Sequence, residues 1–486
     1  MSILDFIILV PSLACIAIAV GAAPRVAALA AAGINFALGF LAWFLFPAGE
    51  EGFHFVASRP VAESLGLHYA VGVDGISLVM VLLTVIVTLC AIWMSKVPES
   101  NAKLYFISLL LISLGALGAF CSTDVFFLYA FHELALIPTF LMIGIWGSGQ
   151  RKAVAWKITL YLALGSVILL VGLLGLVIQL SGDAGLTFDL ATLKERAAAG
   201  GLSEGSQNWI YLTLLIGFGV LISLFPFHSW AAPAYASAPV PTTMLHAGVL
   251  KKFGLYGLVR FAPMLPAGAE TWLTLLVVLL LGNILVIGLA TIAQKQLDTM
   301  LGYSSVMHMG YIFLGIASLN SIGLTGAVLL MFAHGVSIAL LFALCGYVKE
   351  RYGTLQFDEL GGLARYAPGL TLLFGLGAFA SVGLPGFANF SGEALVFFGG
   401  FADFTGETGI KVLQVGTILA IWGVVISAVY MLRAYRTIFF GNLSEDVEAG
   451  GAGDLALVQR IPFFILIAAL LLIGFWPDLF SRLFSF

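Results

Sequence analysis

FHELALIPTFLMIGIWG, residues 131–147, is almost entirely apolar, yet it carries Glu133, near the middle of the longer run 124–146. The run containing it, 124–146, is long enough to cross a hydrocarbon core about 30 Å thick as a helix. A charged side chain at the bilayer centre costs about 2.5–3.5 kcal/mol on insertion scales. Glu133 is therefore partnered, or neutral, or placed there to move charge.

Composition supports the membrane reading. Of 486 residues, 61% are hydrophobic and 9% charged, and the mean hydropathy is +1.08. Apolar runs of about 20 residues recur along the whole chain, and their continuity excludes a β-barrel. The expected class is an all-α polytopic membrane protein forming a single membrane domain, 1–486. The net charge of −4 implies neither a nucleic-acid partner nor an acidic tail. The four cysteines, Cys15, Cys90, Cys121 and Cys345, are far apart and form no CxxC pair, which gives no support to haem, iron–sulfur or zinc sites. The first run carries Asp5 in place of a basic leader and reads as a retained span.

Fourteen spans are predicted, near 3–23, 26–46, 72–95, 103–121, 124–146, 154–180, 209–232, 239–262, 271–293, 300–318, 322–348, 367–404, 411–440 and 461–480. Two should be broken. The seventh is interrupted by LFPFHSWAAPAY, with Pro226 and Pro233. The twelfth contains GLPGFANFSG, breaks at Pro385–Gly386 and resumes near Ser391. Broken helices at membrane depth occur only where protein or a water-filled cavity satisfies the freed backbone groups. Breaks five helices apart predict two inverted five-helix repeats, helices 4–8 (103–262) and 9–13 (271–440). Placing the N-terminus outside puts thirteen Lys and Arg in inner loops and six in outer ones, so both termini are expected on the outer side.

Ionisable groups at mid-depth are the functional candidates. They are Glu133, Lys252 in HAGVLKKFGLYG, Glu393 just past the second break, His228 at the first break, and His246, His308 and His334, each mid-span. Lys157 and Lys295 lie nearer the inner ends, where a lysine can snorkel. Lys251 points about 100° away from Lys252. Burial pushes acids and bases toward the point where a proton is readily gained or lost. Carboxylates, lysine and histidines on separate helices therefore read as a proton relay, not as a pocket for an organic substrate.

YAVGVDGISL, FHELALIPTFLMIGIWG, FPFHSW, HAGVLKKFGLYGLVR, LGYSSVMHMGYIF, FAHGVSIALLF and LPGFANFSGE, in this order over roughly 70–440, resemble the antiporter-like subunits of respiratory complex I. The likeness is greatest to the subunit-M type, the bacterial counterpart of mitochondrial chain 4. That type carries Glu in broken helix 12, as at Glu393, where subunits L and N and Mrp antiporter chains usually carry Lys. The resemblance implies a proton-translocating membrane-arm subunit of an NADH:quinone oxidoreductase, a translocase without redox chemistry of its own. Its relay would begin at Glu133, pass Lys252 and end at Glu393, with His308 and His334 at typical family positions. It implies L- and N-type neighbours, a lateral helix from subunit L, and NADH, FMN, iron–sulfur clusters and quinone only in partner subunits. The setting would be an energy-transducing membrane, the bacterial plasma membrane.

The sequence departs from the family at Leu221, where the family has a helix-7 lysine that pairs with the helix-5 glutamate. Ser223 replaces a usual proline, and Asp298 a common lysine. Glu133 is then expected to be protonated or paired with another cation, Lys157 or Lys252. Either His228, His246 or water bridges the gap and the chain pumps, or the chain is a complex I subunit with an altered or silent channel. A subunit of a multi-subunit sodium/proton antiporter or membrane hydrogenase is a third alternative, and Glu393 argues against the antiporter.

Overall fold

Runs of apolar residues with little helical periodicity suit helices surrounded on all sides, and that is how the central ones lie. The computed structural model describes residues 2–181, 185–403, 409–443, 454–484 and 486. Its helices, in chain order, begin with α1 (Ile3–Ala19) and α2 (Pro24–Leu45). A hairpin, β1 (His54–Ala62) and β2 (Leu67–Val73), precedes α3 (Gly75–Met94) and α4 (Ala102–Cys121). Then come α5 (Val125–Leu134), α6 (Leu136–Trp146), α7 (Arg151–Ser181), the short α8 (Leu190–Ala198) and α9 (Glu204–Ile222). The first broken region holds α10 (Ala231–Ser237), α11 (Val240–Leu245), a π-helical turn (His246–Leu250) and α12 (Lys252–Phe261). There follow α13 (Pro266–Leu281), a second π-helical stretch (Gly282–Ile287), α14 (Gly288–Ile292), α15 (Leu297–Ala317) and α16 (Ser321–Tyr352). The series closes with α17 (Pro368–Val382), α18 (Ala388–Phe401), α19 (Val412–Phe440), α20 (Leu457–Phe475) and α21 (Asp478–Ser481).

Eleven helices among the described residues are long and apolar enough to cross a membrane. The other three expected stretches are filled by shorter pieces: α1, the α11–π–α12 stack, and α17 with α18. The expected end of the twelfth span at 404, and parts of the loops 181–208 and 441–460, lie outside the described residues. Helices α3 and α16 are enclosed by protein over their whole apolar windows, whereas α2 and α20 are one-third enclosed. The bundle therefore has a protein-lined centre around α3, α15 and α16, with α2, α7, α19 and α20 facing outward.

The all-helical expectation needs one correction. Residues 54–73 form an antiparallel hairpin, with Ser58 opposite Ala70 and Arg59 opposite Tyr69. It is fastened to the bundle by Arg59–Asp5 at 3.0 Å and by the Thr123 N–H on the Ala70 carbonyl at 3.1 Å.

Both breaks fall where proline and glycine put them. Helix α9 ends at Ser223 in the left-handed region (φ 69°), ahead of Pro226, which has no N–H to donate. The freed groups are taken up by neighbouring side chains. Asn283, wholly buried in the second π-helical stretch, accepts from the Phe225 N–H at 2.6 Å and donates to Ser223 O at 3.2 Å and Val306 O at 2.8 Å. Trp230 Nε1 donates to Val220 O at 3.1 Å. Helix α17 ends on Gly383 (φ 79°), followed by Pro385 and Gly386 (φ 97°). The helix resumes at Ala388, three residues before the expected Ser391. Pro138 likewise removes a donor where α5 gives way to α6.

Candidate functional site

The centre of the site is set by a close helix approach. A Cβ on Gly248 would meet Gly335 O at 2.9 Å, and one on Gly335 would meet Gly248 O at 2.6 Å. Only glycine at both positions lets α16 lie this near the π-helical turn. That contact brings His334, beside Gly335, onto Lys252. The π-helical turn adds the second adjustment: the Lys251 N–H reaches back five residues to His246 O at 3.1 Å. Lys252 Nζ, fully buried, donates to Ala247 O at 2.7 Å and lies 2.8 Å from His334 Nδ1. One proton can sit on either side of this bond: an ammonium donates to a bare Nδ1, or a neutral amine accepts from Nδ1–H. His334 Nε2 is buried without a partner among the described residues.

Next in line is His308 on α15, its ring centroid 5.6 Å from that of His334. Its Nδ1 faces Ser304 O at 2.8 Å, and its Nε2 faces Ser381 O, at the end of α17, at 3.0 Å. Both partners are carbonyl acceptors, so both bonds are made at once only by the doubly protonated ring. His308 thus tethers the second break to the file of titratable groups. Tyr311 follows one turn along α15, its ring 5.8 Å from His308. The Tyr311 hydroxyl is buried and unpartnered among the described residues.

Glu393 on α18 is buried and makes no hydrogen bond among the described residues. Its carboxylate lies over Gly383, where any Cβ would collide with it, and within electrostatic range of Tyr311 and Tyr430. Helix α18 is seated by Gly392, where a Cβ would meet the Leu330 backbone nitrogen at 2.8 Å. The broken helix and its glycines therefore place this carboxylate.

Glu133 stands at the other end, with about a third of its side chain exposed. The counter-charge expected from Lys157 or Lys252 comes from neither; Lys252 is engaged by His334. Glu133 Oε1 instead accepts from Ser166 Oγ of α7 and lies 3.2 Å from His132 Nδ1. The His132 ring stacks flat on Phe253, centroids 4.0 Å apart and planes at 17°. Leu221 is buried on α9, whose Val220 fills the place of a Cβ on Gly165, next to Ser166.

Lys157 and His228 form a separate limb at the first break. His228 stacks on Phe225, centroids 5.6 Å apart, its Nδ1 buried and unpartnered among the described residues, within electrostatic range of Lys251 and Lys157. Lys251 Nζ donates to Ser305 O at 3.3 Å and lies 5.7 Å from the centre of the Tyr235 ring. The structure thus groups Lys252, His334 and His308, carries them on to Glu393 through Tyr311, and leaves Glu133 at the far end with His132. His132, Tyr311 and Ser166 were not singled out from the sequence. For Tyr311, the three-residue spacing from His308 on one helix face was the available signal.

At the hairpin end, Asp74 caps α3 by accepting from the Ser77 N–H at 2.9 Å and pairs with Arg260 of α12. Burial pushes the Asp74 carboxyl up, but the Arg260 guanidinium outweighs it and holds the group below its ordinary range. This clamp ties the start of α3 to the far end of α12, the helix that begins at Lys252.

A file of lysine, histidine, tyrosine and carboxylate through a many-helix bundle with two interrupted helices defines an antiporter-like membrane protein. Residues 122–419 match the family described as NADH:quinone oxidoreductase/Mrp antiporter, transmembrane. The chain is 34% identical over 440 residues to NAD(P)H-quinone oxidoreductase chain 4 2 of Trichodesmium erythraeum, covering 90% of this chain and 75% of that one. It is 34% identical over 469 residues to NADH-quinone oxidoreductase subunit M of Rhodobacter capsulatus, covering 94% and 88%. A chain of respiratory complex I from Thermus thermophilus with bound NADH superposes with a TM-score of 0.87 at 29% identity, over 99% of this chain and all of that one. A chain of the Mrp complex from Dietzia shares the fold, with a TM-score of 0.83 at 19% identity over 51% of its length. This chain belongs to the NADH:quinone oxidoreductase/Mrp antiporter transmembrane family.

Proposed function

We propose that this chain is the chain-4 or subunit-M member of a complex I-type NADH:quinone oxidoreductase and moves protons through its membrane arm. The carrying observation is the 2.8 Å contact between Lys252 and His334, at which a proton can change owner without either group leaving its place. From there the path runs through His308 and Tyr311 to Glu393; at the other end it reaches Glu133 through His132. Lys157 and His228 supply a side entry by way of Lys251. The two five-helix units, 103–262 and 271–440, carry one broken helix each and are related by inversion. NADH, FMN, iron–sulfur clusters and quinone belong to partner subunits. The immediate neighbours are L- and N-type chains with the lateral helix of subunit L, in a bacterial plasma membrane with both termini outside. Measuring protons moved per electron in the assembled complex with Glu393→Gln tests this reading. A lowered ratio supports it; a wild-type ratio overturns it. Leu221 would favour the silent-channel alternative only if that ratio were also unaffected by changes at Lys252.

A further inference from the structure

Glu133 lies within a membrane-spanning segment, where a lone carboxylate is costly. The nearest base is its own neighbour in the chain. When Glu133 is ionised its carboxylate only accepts, so the 3.2 Å bond is then donated by His132 Nδ1–H. His132 is buried and clamped by Phe253, the residue after Lys252. Among the described residues its Nε2 has no hydrogen-bond partner. The groups facing the pair are Ser166 of α7, Tyr129 one turn back on α5, whose hydroxyl donates to Ser166 O at 3.4 Å, and His246, which lies within electrostatic range of His132, Lys251 and Lys252. Glu133 is thus about one-third exposed on one side of the pair, and His246 with Lys251 and Lys252 lies on the other.

We propose that His132 is a proton-carrying member of the file, the switchable counter-charge of Glu133. Nε2 takes up a proton, and the resulting imidazolium pairs with the Glu133 carboxylate. The Nδ1 proton then passes to Oε1, leaving a neutral ring and a neutral carboxylic acid. Loss of the proton from Glu133 and return of the ring to its Nδ1–H form complete the cycle. This assignment rests on the proton-translocating reading above.

The test uses the full complex in proteoliposomes and a hydrophobic carbodiimide, which adds to protonated carboxyls, with labelling of Glu133 read by mass spectrometry at one near-neutral pH. His132→Gln keeps a donor toward Glu133 but cannot take a proton. Labelling of Glu133 is expected to quicken, the imidazolium partner of the carboxylate being gone, and protons per electron should fall. His132→Lys, which keeps the charge without the ring, should label slowly, and fast labelling there overturns the proposal. Wild-type labelling in His132→Gln also overturns it, whatever the pump does. A wild-type pumping ratio in Glu133→Gln overturns instead the reading on which it rests.

Discussion

Gly248 and Gly335 carry no side chains, and for that reason the backbones of the π-helical turn and α16 meet. The meeting of Lys252 with His334 follows from it. Gly335→Ala should force these elements apart and cost about 1–3 kcal/mol, the usual penalty of overpacking. Pumping should fall with it although no titratable group has been removed. Thermal unfolding and proton stoichiometry, measured together on the variant complex, would show this; a variant as stable and active as wild type would mean the contact is looser than described.

Asn283 makes two hydrogen bonds to the first break and a third to Val306 O of α15, tying the two together. Asn283→Leu preserves size and removes all of them. The cost should be about 1–3 kcal/mol for each buried backbone group left without a partner. A midpoint of unfolding equal to wild type would show that other groups satisfy the break.

The Asp74–Arg260 clamp gives a pH signature. The folded-state Asp74 carboxyl lies below its ordinary value, so its stabilisation is present above the unfolded value, about 3.9, and is lost as pH falls through the folded value. Wild type should therefore lose stability toward acid more steeply than Asp74→Asn does. At neutral pH the variant should be weaker by about 3–5 kcal/mol, the cost of leaving a buried charge without its partner. Parallel pH curves for the two proteins would contradict the clamp.

Leu221→Lys places an amine on α9, the helix whose Val220 packs at Gly165 of α7, beside the Ser166 that donates to Glu133. An ion pair with Glu133 should form, and His132→Gln should then cease to affect pumping. If the effect of His132→Gln is the same in both backgrounds, the new lysine does not reach Glu133.

Much of this was legible from residue order. The spans follow from uninterrupted apolar runs, the breaks from Pro226, Pro385 and Gly386, and the candidates Glu133, Lys252 and Glu393 from charge placed where charge is costly. The hairpin at 54–73 escapes the sequence reading because its nine-residue first strand is mostly exposed and includes Pro60, so it reads as loop. The π-helical turns were invisible because one extra residue per turn leaves an apolar run unchanged. The partner of Glu133 is expected on distant helices although His132 contacts it from one residue away, since neighbours in a helix diverge by about 100°; here the side chains bend back toward each other. The placement of the titratable groups depends on Gly248, Gly335 and Gly392, whose importance lies in contacts between segments that spacing along the chain does not reveal.

The most direct trial of the account is a double-mutant comparison of protons moved per electron in Lys252→Met, His334→Phe and the two together, in the assembled complex. If the pair acts as one link, each single change lowers the ratio and the double variant falls no further than the worse single one. A wild-type ratio in either single variant, or losses that simply add, would contradict it.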